Sequence, residues 1–501
     1  MMTYSLIACL KKYGAAGYLA GLRSRYRAGV YSHGDFVCAA ARAYLALLKP
    51  LRARALLETI DLREAWPGLQ ERVLALKTEA SAMAPGTDPT CSLNMIVKNE
   101  CLNIGPALDC VDDIMDEIIV GDTGSTDRTA DIARLFGATV ISTGWRDDFS
   151  SARNEAVHAS ACSWILWLDA DDRFDRSSKY DLVTLWKMAP PQAAAFCVIN
   201  EQNGRHGARF MQVRLFPRMR GMLFERRVHE QIMFSAVRCK VPFSQFPAIR
   251  IIHKGYNDPK TRKAKSARYK PLIIAELQEH PGDPALLLNY GDCCVALGEL
   301  DEAHASYSRI TGDTAQHRAH PDVFVQAHFA VGCIHYKKRE FTHAKHWFSQ
   351  CVRFDPTRTE ALYLLGRILE EEGDEEAAFD YYLKSARCTP PLRQTATDAM
   401  KIRIESIHCL ARLLLKARRF REAEDLLRHA LADFPQVVEY HTALGTALLR
   451  QQKLKDAAIF FMQSLSLCAE GNGEAYEGMA RIYETMHDYG KAKLFMEMAN
   501  K

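Results

Sequence analysis

The chain has 501 residues, of which 48% are hydrophobic and 25% are charged, which is the composition of a globular protein and excludes a disordered one. This length exceeds what one ordinary hydrophobic core supports, so two or three domains are expected. The net charge of +4 is small for this size and excludes the concentrated basic footprint of a general nucleic-acid-binding protein.

The N-terminal stretch MMTYSLIACLKKYG has no charged segment before an apolar core, so no secretory signal is predicted. No run of about 18 apolar residues occurs, so no transmembrane helix is expected. The 15 cysteines are odd in number and form no CxxC pair, which favours free thiols in a reducing compartment. The sequence therefore predicts a cytoplasmic protein.

Residues 1–89 are predicted to form a helical region. Two stretches rich in Ala and Leu, residues 39–48 and 52–60, are expected to form a helix pair, and covering a face of the next domain is one role for them. The following segment MAPGTDPT, residues 83–90, contains two Pro and one Gly and is predicted to be a linker.

Residues 90–270 alternate between short apolar strands and helices. The strands are SLNMIV, DEIIVG, TVIST and WILWL, and the helices between the first three are NIGPALDCV and RTADIARLF. Gly137 is expected to end the second helix in the left-handed conformation. This alternation predicts an α/β domain with a Rossmann-like, mostly parallel sheet and helices on both faces.

Residues 271–501 are predicted to be an all-α solenoid, because a helical pattern recurs about six times. A small residue recurs at Gly291, Gly332, Gly366, Ala411, Gly445 and Ala480. A second recurs at Ala303, Ala344, Ala377, Ala423, Ala457 and Ala492, and four residues later come Tyr307, Phe348, Tyr381, Leu427, Phe461 and Met496. The pattern resembles tetratricopeptide repeats, in which the small residues let paired helices approach. Such solenoids present a concave binding surface.

Polar residues follow three strands of the predicted sheet. They are Lys98 to Glu100, Asp122, and the run Asp169, Asp171 and Asp172. Ligands of open α/β sheets bind at the carboxyl ends of the strands. Carboxylates this close repel one another unless a positive group lies among them, and a hard divalent cation takes oxygen ligands. An isolated DxD is more often a solvated turn, but here the sequence predicts Mn²⁺ or Mg²⁺ bound together with a diphosphate.

Four motifs in this order, SLNMIVKNE, DTGSTDRT, WRDDFSSARN and WILWLDAD, resemble family-2 glycosyltransferases of GT-A fold. Together with RLFPR, FERRVHEQI and IIHKGY, they are similar to the bacterial subgroup whose catalytic domain adjoins tetratricopeptide repeats. The resemblance covers residues 90–270. It implies transfer of a sugar from a nucleoside diphosphate, usually UDP, with inversion at the anomeric carbon.

The resemblance also implies roles for individual residues. Asp122 and Asp148 would face the nucleotide base, Arg153 would hold the nucleotide, and Asp169 would bind the ribose or a metal-bound water. The metal ligands would be Asp171 and His253. The alternative for His253 is a histidine satisfied at a strand end.

Inversion requires a base that takes the proton of the acceptor, and Glu230 is the candidate. The alternatives are Asp172 and His229 as base, or a surface salt bridge of Glu230 with Arg226 or Arg227. The subgroup often has Glu after its DAD motif where this chain has Asp172, which leaves any role at that position open.

Two basic stretches accompany these motifs. Seven Arg lie between Arg205 and Arg227, either as outward-facing strand residues or in contact with diphosphate or an acidic acceptor. The segment from Lys260 to Lys270 is expected to link the catalytic domain to the repeats.

The leading hypothesis is a metal-dependent inverting glycosyltransferase that moves a sugar from a UDP-sugar to Ser, Thr or Cys of a protein or peptide held by the repeats. One alternative acts on lipopolysaccharide-core or lipid-linked glycan. The other is a non-catalytic repeat scaffold. An oligomer is compatible with each of them.

Overall fold

The computed structural model describes residues 17–47, 49–83, 89–202, 205–255, 259–313, 315–391, 398–470 and 472–500. Most of the predicted linker, residues 84–88, lies outside them. The chain forms two compact units, one ending at Ser306 and the other starting at Tyr307. The domain boundary between residues 270 and 271 stays a prediction.

Four helices precede the sheet: α1 (residues 17–27), α2 (His33–Ala46), α3 (Pro50–Leu57) and α4 (Pro67–Ala82). The predicted helix pair corresponds to α2 and α3, and Pro50 begins α3, where its missing N–H costs nothing. The helices α1 and α4 were not predicted individually.

These helices attach to the α/β domain through a buried ionic cluster around Asp112. The Asp112 carboxylate is fully buried and accepts hydrogen bonds from Arg23 at 2.9 Å, from the Tyr44 hydroxyl at 2.8 Å and from Arg52. Arg52, also fully buried, donates through Nε to the Phe136 carbonyl at 3.1 Å. A buried charge of this kind is stable only with its partners in place, so the N-terminal helices cover part of the α/β domain.

The α/β domain is built on one eight-stranded sheet. Its strands are β1 (Cys91–Val97), β2 (Glu117–Asp122), β3 (Thr139–Ser142), β4 (Trp164–Trp167), β5 (Asp172–Phe174), β6 (Ala193–Gln202), β7 (Arg205–Pro217) and β8 (Phe243–His253). They lie in the order β3-β2-β1-β4-β7-β6-β8-β5. The first four of that order are parallel, β7 is antiparallel to both neighbours, and β5 is antiparallel to β8.

Helices cover both faces of this sheet. They are α5 (Ile104–Asp109), α6 (Thr129–Leu135), α7 (Phe149–Ala159), α8 (Lys179–Met188) and α9 (Met233–Arg238). Alternate residues of β4 enter two different cores: Leu166 packs in one that includes Leu182 of α8, and Ile165 in one that includes Val157 of α7. The α/β fold with a mixed, partly parallel sheet confirms the predicted fold class.

The rest of the chain is helical. It contains α10 (Pro259–Glu279), α11 (Pro284–Leu297), α12 (Leu300–Thr311), α13 (Ala315–Ala319), α14 (Pro321–Lys337), α15 (Phe341–Phe354), α16 (Thr359–Glu371), α17 (Glu375–Arg387), α18 (Ala399–Lys416), α19 (Phe420–Asp433), α20 (Val438–Arg450), α21 (Leu454–Leu467), α22 (Gly473–Thr485) and α23 (Tyr489–Ala499). The basic segment from Lys260 to Lys270 lies within α10. No helix among the described residues is long and apolar enough to cross a membrane.

The repeat pattern holds with one correction. A Cβ on Gly332 would lie 2.5 Å from the Phe348 ring, so this glycine lets α14 and α15 approach. In the third unit the residue facing Gly366 is Tyr382 and not the predicted Tyr381, since a Cβ there would lie 2.8 Å from the Tyr382 ring. Tyr382 is fully buried. The predicted frame of this unit was therefore wrong by one residue.

Candidate active site

The carboxyl ends of β1, β2 and β4 lie at one edge of the sheet because these strands are parallel neighbours. Val97 at the end of β1 is paired with Asp122 at the end of β2, and Asn94 is paired with Trp167 at the end of β4. The Asp122 carboxylate accepts a hydrogen bond from the Ser125 N–H at 2.8 Å and shapes the turn after β2. The predicted polar strand ends therefore come together.

The pairing of β5 with β8 brings His253 to the aspartates that follow β4. Asp172 stands opposite His253 in this antiparallel register. The Nδ1 atom of His253 lies 2.9 Å from Oδ1 of Asp172 and 3.6 Å from Oδ1 of Asp171. The backbone N–H of Lys254 also donates to the Asp171 carbonyl at 2.9 Å. The structure thus joins two predicted metal ligands that are 82 positions apart in the sequence.

Asp172 is fully buried, and both of its carboxylate oxygens are engaged. Oδ1 faces His253, while Oδ2 accepts from the Asp169 N–H at 2.9 Å and from Nη1 of Arg214 at 2.7 Å. A carboxylate held this way orients its neighbours and has no oxygen left for an acceptor. These contacts argue against Asp172 as the base.

Arg153 of α7 connects two more of the predicted site residues. Its Nη2 donates to Asp169 at 2.8 Å and its Nε donates to Glu230 at 2.6 Å. Glu230 thus pairs with Arg153, and the alternative prediction of a surface salt bridge with Arg226 or Arg227 is wrong. Arg153 is 7% exposed, so the bridge is largely removed from solvent screening.

An indole ring supports the two guanidinium groups of the site. The guanidinium carbon of Arg153 lies 4.2 Å from the Trp167 ring centroid, and that of Arg214 lies 3.9 Å from it. The Trp167 Nε1–H donates to the Val213 carbonyl at 2.8 Å, which fixes the ring. Stacking on an indole face stabilises a desolvated cation by roughly 2 kcal/mol.

Arg214 is the residue that sequence reasoning missed. It was grouped with six other Arg as outward-facing or phosphate-binding, but it is 2% exposed and pairs with Asp172. Its neighbours in β7, Val213 and Leu215, are both buried, so the strand has no solvent face at this point. An Arg between two apolar residues of a strand, here Val213 and Leu215, is a signal that a buried acid lies nearby.

Asp169 and Asp171 have opposite pKa shifts. Burial alone would raise the pKa of Asp169, but the guanidinium groups of Arg153 and Arg214 hold that pKa well below its usual range. Asp171 has no such partner: burial, together with the charges of Asp169 and Asp172, raises its pKa to about 6 in spite of His253. Asp171 is therefore the carboxylate of the three that is not paired with Arg153 or Arg214.

The space beside Asp171 and His253 fits a divalent cation. Ligand atoms of Asp171, Asp172 and His253 all lie within 4.8 Å of one another. A Cβ built on Gly255 would lie 2.4 Å from Nε2 of His253 and 3.2 Å from Oδ2 of Asp171. Gly255 thus leaves open a position that both atoms reach. The contact of Nδ1 with Asp172 fixes the imidazole, as a carboxylate bonded to the other ring nitrogen does for histidines that bind metals.

Asp148 occupies a different position from the Arg153 network. Its carboxylate caps α7 by accepting from the Ser151 N–H at 3.0 Å. It also lines an open cavity of about 380 Å³ together with Ser151, Asn154 and Leu223. Neither Asp148 nor Asp122 forms a hydrogen bond to Arg153 among the described residues.

The fold is an α/β domain with a candidate ligand site at the carboxyl edge of its parallel strands, followed in the chain by helical repeats. Residues 92–244 match the model of glycosyl transferase family 2. Residues 275–321, 329–392 and 410–472 match models of the tetratricopeptide repeat. The chain therefore carries a family 2 glycosyltransferase domain and tetratricopeptide repeats, which confirms the resemblance found in the sequence.

Several curated proteins are similar in sequence, and two of them are described here. A TPR repeat-containing protein of Synechococcus elongatus is 35% identical over 219 residues, which are 42% of this chain and 54% of that protein. The SPbeta prophage-derived glycosyltransferase SunS of Bacillus subtilis is 28% identical over 236 residues, which are 46% of this chain and 55% of that protein. The chain thus spans about half the length of these relatives.

Among solved structures, the C-terminal part of a TPR repeat-containing protein from Cytophaga hutchinsonii is similar, with a TM-score of 0.37 and 18% identity. The similarity covers 48% of this chain and 92% of that structure.

Proposed function

We propose that the chain is an inverting, metal-dependent glycosyltransferase that moves a sugar from a UDP-sugar to Ser, Thr or Cys of a protein or peptide acceptor. The observation that carries the proposal is the open position between Asp171 and His253, at a carboxylate with no guanidinium partner among the described residues. The family 2 match supports the reaction class.

On the donor side, we assign Asp171 and His253 as ligands of Mn²⁺ or Mg²⁺. A divalent cation held there would neutralise the charge that develops on the departing diphosphate. Asp169 is assigned to the ribose or a metal-bound water, and Arg153 to the nucleotide. Arg153 has Nε and Nη2 committed to Glu230 and Asp169, and its Nη1 donates to no described residue, which supports this role.

Asp122 and Asp148 are assigned to the nucleotide base. Both also shape the backbone, Asp122 in the turn after β2 and Asp148 at the start of α7. The open cavity beside Asp148 supports a ligand contact in addition to the capping role.

On the acceptor side, we assign Glu230 as the general base. Its Oε1 is held by Arg153, and its Oε2 accepts no hydrogen bond from a described residue. Oε2 would take the proton from the acceptor hydroxyl or thiol as the new bond to the anomeric carbon forms. Because Arg153 also binds Asp169, the base has a fixed position relative to the donor residues.

The repeats are assigned to a polypeptide acceptor, since stacked helix pairs of this kind build an extended concave surface. We place the reaction in the cytoplasm, which the free state of all fourteen described cysteines supports.

The test of the donor site is calorimetric UDP binding with Mn²⁺ and with EDTA, in the wild type, in Asp171→Ala and in Asp181→Ala. Asp181 is an exposed acid on α8 and is the matched control. Binding that needs both Mn²⁺ and Asp171, and is unchanged in Asp181→Ala, is the expected result. Absence of UDP binding under every condition would refute the donor assignment and favour a non-catalytic scaffold.

The acceptor is tested separately with radiolabelled sugar in cells that express the chain. Label in protein that depends on Asp171 is the expected result. Label that enters glycolipid and never protein would refute a polypeptide acceptor and favour lipopolysaccharide-core or lipid-linked glycan.

A further inference from the structure

Glu230 lies in a short closed loop, residues 225–231, called here the base loop. Two backbone hydrogen bonds between Glu225 and Gln231, at 3.0 and 2.9 Å, close it. Within it Arg226 has φ 83° and His229 has φ 55°, both in the left-handed region. Residues with side chains adopt this conformation at a cost of about 1–3 kcal/mol each, so surrounding contacts must hold the loop.

The first set of contacts comes from α7. The N–H of Phe149 donates to the Arg227 carbonyl at 2.9 Å, and Arg153 binds Glu230. The Asn154 side chain donates to the Phe224 carbonyl at 2.9 Å and accepts from the Phe224 N–H at 2.8 Å, which fixes the segment that enters the loop.

The second set comes from α10, α11 and the turn between them. Nη2 of Arg226 pairs with Oδ2 of Asp283, the residue that caps α11. The N–H of Arg227 donates to the Glu276 carboxylate at 3.1 Å, and Glu276 is only 6% exposed. An ion pair of Arg227 with Glu279, at 2.6 Å, lies nearer the surface.

Apolar packing adds to these polar contacts. Val228 of the base loop is 2% exposed and packs in one cluster with Ile273 of α10 and Cys293 of α11. Tyr269 of α10 contacts the Phe149 ring edge to face, at 5.7 Å between centroids. The helix pair α10–α11 thus contacts the loop through three consecutive residues, Arg226, Arg227 and Val228.

We propose that the helix pair α10–α11 positions Glu230 for proton transfer, with Asp283 and Glu276 as positioning residues that act through the base loop. The inference rests on the proposed role of Glu230. Sequence comparison assigns α11 and only the end of α10 to the repeats, since residues 275–321 match a repeat model. In the structure this pair belongs to the same compact unit as the sheet. Its role is therefore in catalysis, whatever the later repeats bind.

The variant Asp283→Asn tests the proposal with little change of shape. An Asn retains the oxygen that caps α11, which accepts from the N–H groups of Ala285 and Leu286 at 2.9 and 3.0 Å. It replaces the oxygen that binds Arg226 by an amide donor, so the ion pair is lost. The matched control is Glu299→Gln, which removes a carboxylate paired with Lys270 of α10 and not with the base loop.

In Asp283→Asn we expect kcat to fall by about ten- to a hundredfold, since a displacement near 1 Å has this effect on a reacting group. The Kd for UDP with Mn²⁺ should stay within about twofold, because Asp171 and His253 are untouched and Arg153 keeps its hydrogen bond to Asp169. Amide hydrogen exchange at Arg227, Val228 and Gln231 should become faster. Arg226→Gln should behave alike, and the double variant should be no worse than either single one.

An unchanged kcat in Asp283→Asn, or a fall in UDP affinity as large as the fall in kcat, would overturn the proposal. A similar loss of kcat in Glu299→Gln would also overturn it, because the effect would then be general destabilisation. If the wild type binds no UDP, only the proposed donor site is refuted. In that case unchanged hydrogen exchange of the base loop in Asp283→Asn would still refute its attachment to α10–α11.

Discussion

Gly255 keeps the candidate metal position open, and the substitution Gly255→Ala should close it. The added Cβ would lie 2.4 Å from Nε2 of His253 and 3.2 Å from Oδ2 of Asp171. An ordinary contact needs about 3.5 Å, so the imidazole must move by about 1 Å. Metal–ligand distances vary by only about 0.2 Å around their usual values, so an imidazole displaced this far would no longer bind the cation.

The expected loss of Mn²⁺ affinity in Gly255→Ala follows from the displacement of the His253 imidazole. Loss of ligand orientation lowers metal affinity by about 10- to 100-fold in comparable sites. Each factor of ten corresponds to about 1.4 kcal/mol of binding free energy. The displaced imidazole also leaves the buried Asp172 without one hydrogen bond, at a cost of about 1–3 kcal/mol in folding stability.

The assay is a calorimetric titration of Mn²⁺ into the chain at saturating UDP, with urea unfolding measured alongside. The control is Gly21→Ala in α1, where an added Cβ meets nothing within 4 Å. We expect weaker Mn²⁺ binding and lower stability in Gly255→Ala. Both quantities should be unchanged in the control Gly21→Ala. Wild-type Mn²⁺ affinity in Gly255→Ala would refute the assignment of this position to the metal.

Two further predictions concern the fold. Burial alone would raise the pKa of Asp112, but the ion pairs with Arg52 and Arg23 hold that pKa below its usual value. The ionised carboxylate therefore contributes fully to folding stability above about pH 4. This contribution is lost as the pH falls through the lower pKa of the folded state. The fall in urea midpoint between pH 7 and pH 3 should be smaller in Asp112→Asn than in the wild type, and an equal fall would contradict this. In the repeats, Tyr382→Ala should lower the free energy of unfolding of its unit by about 3 kcal/mol and Tyr381→Ala by less than about 1 kcal/mol, since only Tyr382 is fully buried. Equal losses in urea denaturation would show that the corrected repeat frame is wrong.

The elements of the parallel half-sheet could be predicted because their signals are local. An apolar run such as WILW predicts a strand without knowledge of its partners, and the structure has β4 at those residues. Gly137 has φ 67° after α6, as its position after a helical pattern predicted. Parallel pairing then brings the strand ends to one edge, so Asp122 and Asp169 could be expected near each other.

The contacts between distant residues could not be predicted in the same way. Arg153 and Glu230 are 77 positions apart, and Asp172 and Arg214 are 42 apart. Their meeting depends on the register of β7 and on the base loop, which no short motif specifies. Charge alone did not distinguish Arg214 from the other Arg between Arg205 and Arg227.

The missed frame in the third repeat has a simple cause. Ala377 and Ala378 are adjacent, as are Tyr381 and Tyr382, so the sequence fits two frames equally well. One residue along a helix is a rotation of about 100°, which moves a side chain from the core to its border. The approach of Gly366 to Tyr382 and the full burial of Tyr382 distinguish the two frames in the structure.

His253 comes from the last strand of the sheet, 81 residues after the Asp172 that orients it. A ribosome adds about 5–20 residues each second, so this residue emerges roughly 4–16 s after the aspartates. Until then a nascent chain holds Asp171 without its histidine partner, and β5 without β8 beside it. The order of synthesis thus keeps the candidate donor site incomplete until the whole sheet has formed.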